Sequence, residues 1–217
     1  LSNIGLIYEE QASFEKAIDI YAKSLSIAKE MNEKRSICVS YCNIGYILEY
    51  QGAIDQALKY FRRALRLSEK IGYKAGIGGY SNNMAQIYIK KQQYNKAIPL
   101  LNNAVEILEK LGAVDCVFYI IARAFCYMKV KNNDKLSEEL RNIEGALKKH
   151  GSLYDYRALW QLHCVYKKIS DYKKANQYLN AAEKSLKKRC KKIKTDNDVT
   201  YFLNTYDASS VLKSIQN

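Results

Sequence analysis

Apolar residues recur along this chain at helical spacing, in runs of roughly 18 residues separated by short polar or glycine-containing stretches. From Arg35 to Gln51, the residues Cys38, Tyr41, Cys42, Ile44, Gly45 and Leu48 fall at helical intervals. Gly52 interrupts the pattern, and a second amphipathic run follows from Ile54 to Ile71. Gly72 closes that run, as glycine does where a helix ends on a left-handed residue, and Gly112 and Gly151 fall in the same place after the next two units. Connections of only a few residues predict antiparallel helix hairpins. A single proline and few glycines fit a chain that is mostly helix, because both weaken helix interiors.

The hairpins are copies of one another. In blocks of 40 residues, Asn3-Ile4-Gly5, Asn43-Ile44-Gly45 and Asn83-Met84-Ala85 superimpose, as do Tyr8, Leu48 and Tyr88, and Ala17, Ala57 and Ala97. A fixed period of this size signifies one supersecondary unit stacked on its neighbours around a continuous apolar strip. The expected units lie near 1–33, 34–73, 74–113, 114–151 and 152–194. Beyond Lys194 the period fades, but Val199, Phe202, Leu203, Tyr206, Val211 and Leu212 keep helical spacing. Residues 195–217 are therefore expected to form a C-terminal capping helix, or the first helix of a truncated sixth unit. The chain opens at Leu1 within a helical pattern and without a start methionine, which suggests an excised piece of something longer, lacking a targeting signal or an effector domain.

These residues resemble the tetratricopeptide repeat, whose signature places a large residue, then Leu-Gly and Tyr on a first helix, and Ala and Phe on a second. The first unit supplies Leu1, Ile4, Gly5, Tyr8, Ala17 and Tyr21, and the second Tyr41, Ile44, Gly45, Leu48, Ala57 and Phe61. The third supplies Ser81, Met84, Ala85, Tyr88, Ala97 and Leu101. In the fourth, Ile121, Ala124, Phe125 and Met128 fit loosely, with Phe125 at the small-residue position and Glu139 in place of the second-helix alanine. The fifth recovers with Leu159, Leu162, Tyr166, Ala175 and Leu179, and His163 takes the small-residue position. A 40-residue period is similar to that of kinesin light chains, Leu-Gly-Asn repeat scaffolds and bacterial peptide-pheromone receptors.

The resemblance implies an all-α, right-handed α-solenoid of about five hairpins, with first helices lining a concave groove that binds a peptide or protein segment. Carried over by position, the groove presents Asn3, Leu6, Asn43, Tyr46 and Glu49, then Asn82, Asn83 and Gln86, then Arg123, Lys129, Trp160 and Lys167. Asn3, Asn43 and Asn83 form a ladder at the period itself. Asparagine offers both a donor and an acceptor, which suits either the backbone of an extended peptide or a neighbouring helix. Trp160, the single tryptophan, serves equally as a binding anchor or a core filler.

Charge gives the partner a sign. The net charge is +13, of which residues 1–110 carry +4 and residues 111–217 carry +9. An acidic segment or a peptide carboxylate would favour the second half, where Arg123, Lys129 and Lys167 lie. The run from Lys184 to Lys194 could dock an anionic surface, but no aromatic residue interleaves it, so nucleic acid is the less favoured partner. Two further readings stand beside peptide binding: the ligand-sensing region of a larger signalling or transcriptional regulator, and nucleic-acid or anionic-surface binding through the basic C-terminal half.

The six cysteines are irregularly spaced among apolar neighbours and are read as reduced core residues of a cytoplasmic protein. Neither a membrane span nor a signal peptide is expected. Cys126, Cys164, His163 and His150 do not form a zinc-binding pattern, and no phosphate-cradling loop or nucleophile-base pair is present. The expectation is a binding module with no cofactor and no enzymatic activity. Composition sets no oligomeric state.

Overall fold

The computed structural model describes residues 2–11, 13–112, 116–150, 155–191, 193, 199, 209 and 211–213. Its ten helices among these residues are α1 (Ser2–Glu10), α2 (Phe14–Glu30), α3 (Lys34–Tyr50), α4 (Ile54–Lys70), α5 (Lys74–Lys90), α6 (Tyr94–Lys110), α7 (Cys116–Lys129), α8 (Asn133–His150), α9 (Tyr156–Lys168) and α10 (Tyr172–Cys190). The all-α solenoid of helix hairpins expected from the period is the fold of the chain. Gly151 and most of the expected capping segment lie outside the described residues. Val199, Ser209 and residues 211–213 within that segment are helical, and Val211 is fully buried.

The turns show how the copies are made. Gly52, Gln92, Lys131 and Ser170 hold left-handed backbone between the helices of a hairpin, and Asn32, Gly72 and Gly112 do so between successive hairpins. At every site but Gly112, whose following residue lies outside the described ones, the amide after the left-handed residue bonds a carbonyl five residues back, as from Ala53 to Leu48, Gln93 to Tyr88, Asn132 to Tyr127 and Asp171 to Tyr166. The left-handed residue's own amide bonds three residues back, as from Gly52 to Glu49. The two bonds form a Schellman closure, which satisfies carbonyls the helix leaves open. A side chain in left-handed backbone costs roughly 1 kcal/mol. Exposed Lys131 is therefore a correctable position: Lys131→Gly should raise thermal stability by up to about 1 kcal/mol in a denaturant melt, with α7 and α8 unchanged.

These turns correct the expected register of the fourth unit. Gln92, Lys131 and Ser170 are 39 residues apart, whereas Gly52 and Gln92 are 40 apart. Counted from its own turn, the fourth unit places Ala124 at the helix crossing and Phe125 one step beyond, with Leu136 at the second-helix alanine position. Ala124 is fully buried and Leu136 nearly so, as those roles require. The expected assignments of Phe125 and Glu139 were one and three residues out of register: the one residue fewer in that unit accounts for the shift at Phe125, and for only one of the three residues at Glu139. His163 remains at the small position of the fifth unit, buried, with Nδ1 donating to the carbonyl of Ala175 at 3.0 Å.

The described chain divides into two compact units, Leu1–Met84 with Arg189–Tyr206, and Ala85–Lys188 with Asp207–Asn217. In the first, α1 packs on α2, α2 on α3 and α3 on α4. Gly45 lies against the Phe61 ring, where an added Cβ would come within 2.6 Å of a ring carbon, so only glycine fits this crossing without movement. In the second unit, α7 packs on α6, α8 and α9. Its residues Ile121, Ala122, Ala124, Phe125 and Cys126 are all buried, so little of α7 faces solvent. A helix that is apolar all round is an interior helix, and α7 forms the centre of this unit.

Candidate functional site

In the first unit the asparagine positions lie in three different environments. Asn3 is exposed, Asn43 is half-buried, and Asn83 is only 6% exposed. Asn83 joins neighbouring first helices: its Oδ1 accepts from the Tyr46 hydroxyl at 2.8 Å, and its Nδ2 donates to Cys42 Sγ at 3.2 Å. The Tyr46 ring packs edge-on to Phe61 at 5.4 Å, which ties this polar link to the core. Burial pushes the Cys42 thiol well above its usual range, so Cys42 acts as an acceptor and small filler, not as a nucleophile. Asn83→Ala should leave the Tyr46 hydroxyl without this acceptor and lower stability by roughly 1–2 kcal/mol. Tyr46→Phe should cost less, since the ring contact survives.

Leu6 is 47% exposed and lies with Asn3 on α1. Glu49 is buried on α3. The Tyr21 hydroxyl donates to Glu9 at 3.2 Å, so that carboxylate is tied to α2. Asn82 is half-buried on α5. The first-helix face of this unit thus combines apolar Leu6 with amide and hydroxyl groups.

The second unit has different chemistry. Gln86 is half-buried on α5, and buried Gln161 on α9 donates to it at 3.4 Å. Phe125 lies 5.6 Å from Trp160, ring centre to ring centre. Lys129 stands 5.2 Å over the Phe125 ring. Lys129 and Lys167 both lower the proton affinity of Cys164, but burial outweighs them and its thiol stands at about 11. On α9, Trp160, half-exposed Cys164 and exposed Lys167 follow at intervals of four and three residues and so share a face, while exposed Lys129 of α7 stands over the Phe125 ring that packs on Trp160. The structure therefore brings together Lys129, Trp160 and Lys167, and adds Phe125 and Cys164.

Arg123 is placed elsewhere. Its Nη1 donates to Asn102 of α6 at 3.2 Å, and its Nη2 lies 2.8 Å from Glu139 Oε1 on α8. Both partners are on second helices, so this guanidinium points away from the first-helix face. Burial holds the Glu139 carboxyl above the usual carboxylate range, with Arg123 opposing that rise. The register explains the difference: a 39-residue step puts Arg123 at the apolar position of Met84, not at that of Asn83.

Among the described residues, no group of three or more His, Cys, Asp or Glu could hold a metal ion. No helix among them is long and apolar enough to cross a membrane. All six cysteines are free thiols.

Residues 1–70 and 79–110 match tetratricopeptide repeat models, and over these residues the chain belongs to the tetratricopeptide repeat family. Solved structures agree in fold. A Rap protein complexed with competence and sporulation factor is similar at a TM-score of 0.71 and 16% identity, over 100% of this chain and 62% of its own. BtubC from P. vanneervenii is similar at 0.65 and 18%, over 82% and 75% of the two chains. The nearly identical repeats of a putative kinesin light chain from Podosopora anserina match at 0.63 and 14%, over 86% and 93%. No curated protein matches the chain.

Proposed function

We propose that this chain is a protein-interaction module whose first-helix faces bind a peptide or protein segment, and that it is not an enzyme. The observation that carries this reading is the patch on the second unit, where Trp160, Cys164 and exposed Lys167 follow along one face of α9 and exposed Lys129 stands over Phe125, which packs on Trp160. Two cations beside a half-exposed aromatic suit a carboxylate next to an apolar side chain, as on an acidic segment or a peptide C-terminus. On the first unit, Asn3, Asn43 and Asn82 supply amide groups and Leu6 an apolar contact. Asn83 supports the site by holding Tyr46, and Arg123 supports it by anchoring α7.

The likeness to the Rap protein, 62% of which this chain spans, supports a second reading at the level of the whole protein: a ligand-sensing repeat region of a larger regulator. Both readings share the same binding face.

Trp160 makes the site observable, since it is the only tryptophan. Titration with short acidic peptides carrying a free C-terminal carboxylate should change its fluorescence. Lys129→Ala with Lys167→Ala should weaken that binding about tenfold or more, and Asn43→Ala should weaken it less. Fluorescence unchanged by any such peptide, or affinity indifferent to both lysines, would remove the support for this face.

A further inference from the structure

The strongest feature outside the first-helix faces is the solvent side of α4. Lys59, Arg63, Arg66 and Lys70 are all exposed there, and Arg62 is half-buried at its edge. Their intervals of four, three and four residues put the four exposed cations in one line, one per helical turn, over a length of about 16 Å. None of the four has a salt bridge among the described residues. The only carboxylates on the helix, Asp55 and Glu69, lie near its two ends.

Tyrosines hold part of this line in place. The Arg63 guanidinium lies 5.4 Å from the centre of the Tyr60 ring and 5.9 Å from that of Tyr41. The two rings meet edge to face at 5.9 Å, and Lys29 of α2 stands 5.9 Å over Tyr41. A guanidinium stacked on aromatic faces keeps its N–H edge directed outward and loses little further freedom when it takes up a planar anion. An ordinary solvated charged face lacks this order.

We infer that the solvent face of α4 is a second docking surface, and that its partner is an acidic protein segment with carboxylates spaced one per helical turn. Charge complementarity and spacing select this partner. Carboxylates at positions i, i+4, i+7 and i+11 of a helix repeat the intervals of Lys59, Arg63, Arg66 and Lys70. Nucleic acid fits less well on two counts. Tyr41 and Tyr60 already carry the protein's own cations, which compete with bases for these rings. The adjoining α2 mixes Glu15, Asp19 and Glu30 with Lys16, Lys23 and Lys29, so the cationic strip is one helix wide and does not span the two backbones of a duplex. This surface is independent of the first-helix faces and stands or falls apart from them.

The test uses a labelled 20-residue helical peptide with glutamates at those four intervals, a matched glutamine peptide, and single- and double-stranded DNA of comparable length. Fluorescence anisotropy at low and physiological salt should show binding of the glutamate peptide, weakened by salt and absent for the glutamine peptide. Arg63→Ala with Arg66→Ala should weaken it about fivefold or more, and Arg63→Lys should fall between, because it keeps the charge but loses the stacking. These substitutions are at exposed positions, and a far-UV melt confirms that the variants fold. No binding of the glutamate peptide, equal binding by the double variant, or tighter binding of DNA through the same arginines would each overturn the proposal.

Discussion

Arg123→Ala should be among the most damaging single substitutions in this chain, at roughly 3–5 kcal/mol. The Arg123 and Glu139 side chains are 15% and 5% exposed and lie 2.8 Å apart, so removal of the guanidinium leaves an almost completely buried carboxylate without its counter-charge. Asn102 loses the Nη1 bond at the same time. The pair is not valuable as such, because two desolvated charges recover little beyond the cost of burying them. Arg123→Met with Glu139→Leu should therefore return stability close to that of the parent, or above it. Glu139 also gives the loss a pH dependence. Its folded carboxyl is held above the usual range, so the unfolded chain releases that proton first as pH rises, and ionisation disfavours the fold. The penalty of Arg123→Ala should accordingly shrink below the ordinary carboxylate range, where the orphaned group is neutral. Denaturant melts of the single and double variants at pH 7 and at pH 4 measure both effects.

Gly45→Ala should cost about 1–3 kcal/mol, because the new methyl group would stand 2.6 Å from the buried Phe61 ring. The third hairpin carries an alternative solution in Ala85 with Leu101, both fully buried. Where the crossing residue gains a methyl group, the second-helix residue loses ring volume. Gly45→Ala with Phe61→Leu should thus cost less than the sum of the two single changes, by about 1 kcal/mol in a double-mutant cycle. Strict additivity would mean that the contact is relieved by movement of α3 and not by the size of the partner.

The hairpin repeat was legible because its signals are local. Helical spacing, Gly52, Gly72 and Gly112 mark α3, α4 and the junctions to within a residue, and each of those glycines holds left-handed backbone. Where other residues take the turn, legibility fell. Lys131 and Ser170 do the work of glycine without announcing it, and the deletion of one residue before Lys131 passed unseen. The Asn132-Asn133 pair opening α8 was the available signal, since it fixes the end of α7 whatever the apolar pattern suggests. That one-residue shift moved Arg123 from the expected site into a buried ion pair and brought Phe125 beside Trp160. Sequence alone could not have separated Asn43 from Asn83. Both sit at the repeat position, and only the hydroxyl of Tyr46 and the thiol of Cys42 determine that Asn83 is occupied.

Selection of random 12-residue peptides displayed on phage, using this chain as bait, tests most directly whether the first-helix faces bind peptides. The account predicts enriched sequences bearing carboxylates beside an apolar residue, whose affinity falls about tenfold for Lys129→Ala with Lys167→Ala. Enrichment of peptides that bind this variant and Asn43→Ala as tightly as the parent, or no enrichment at all, would contradict it.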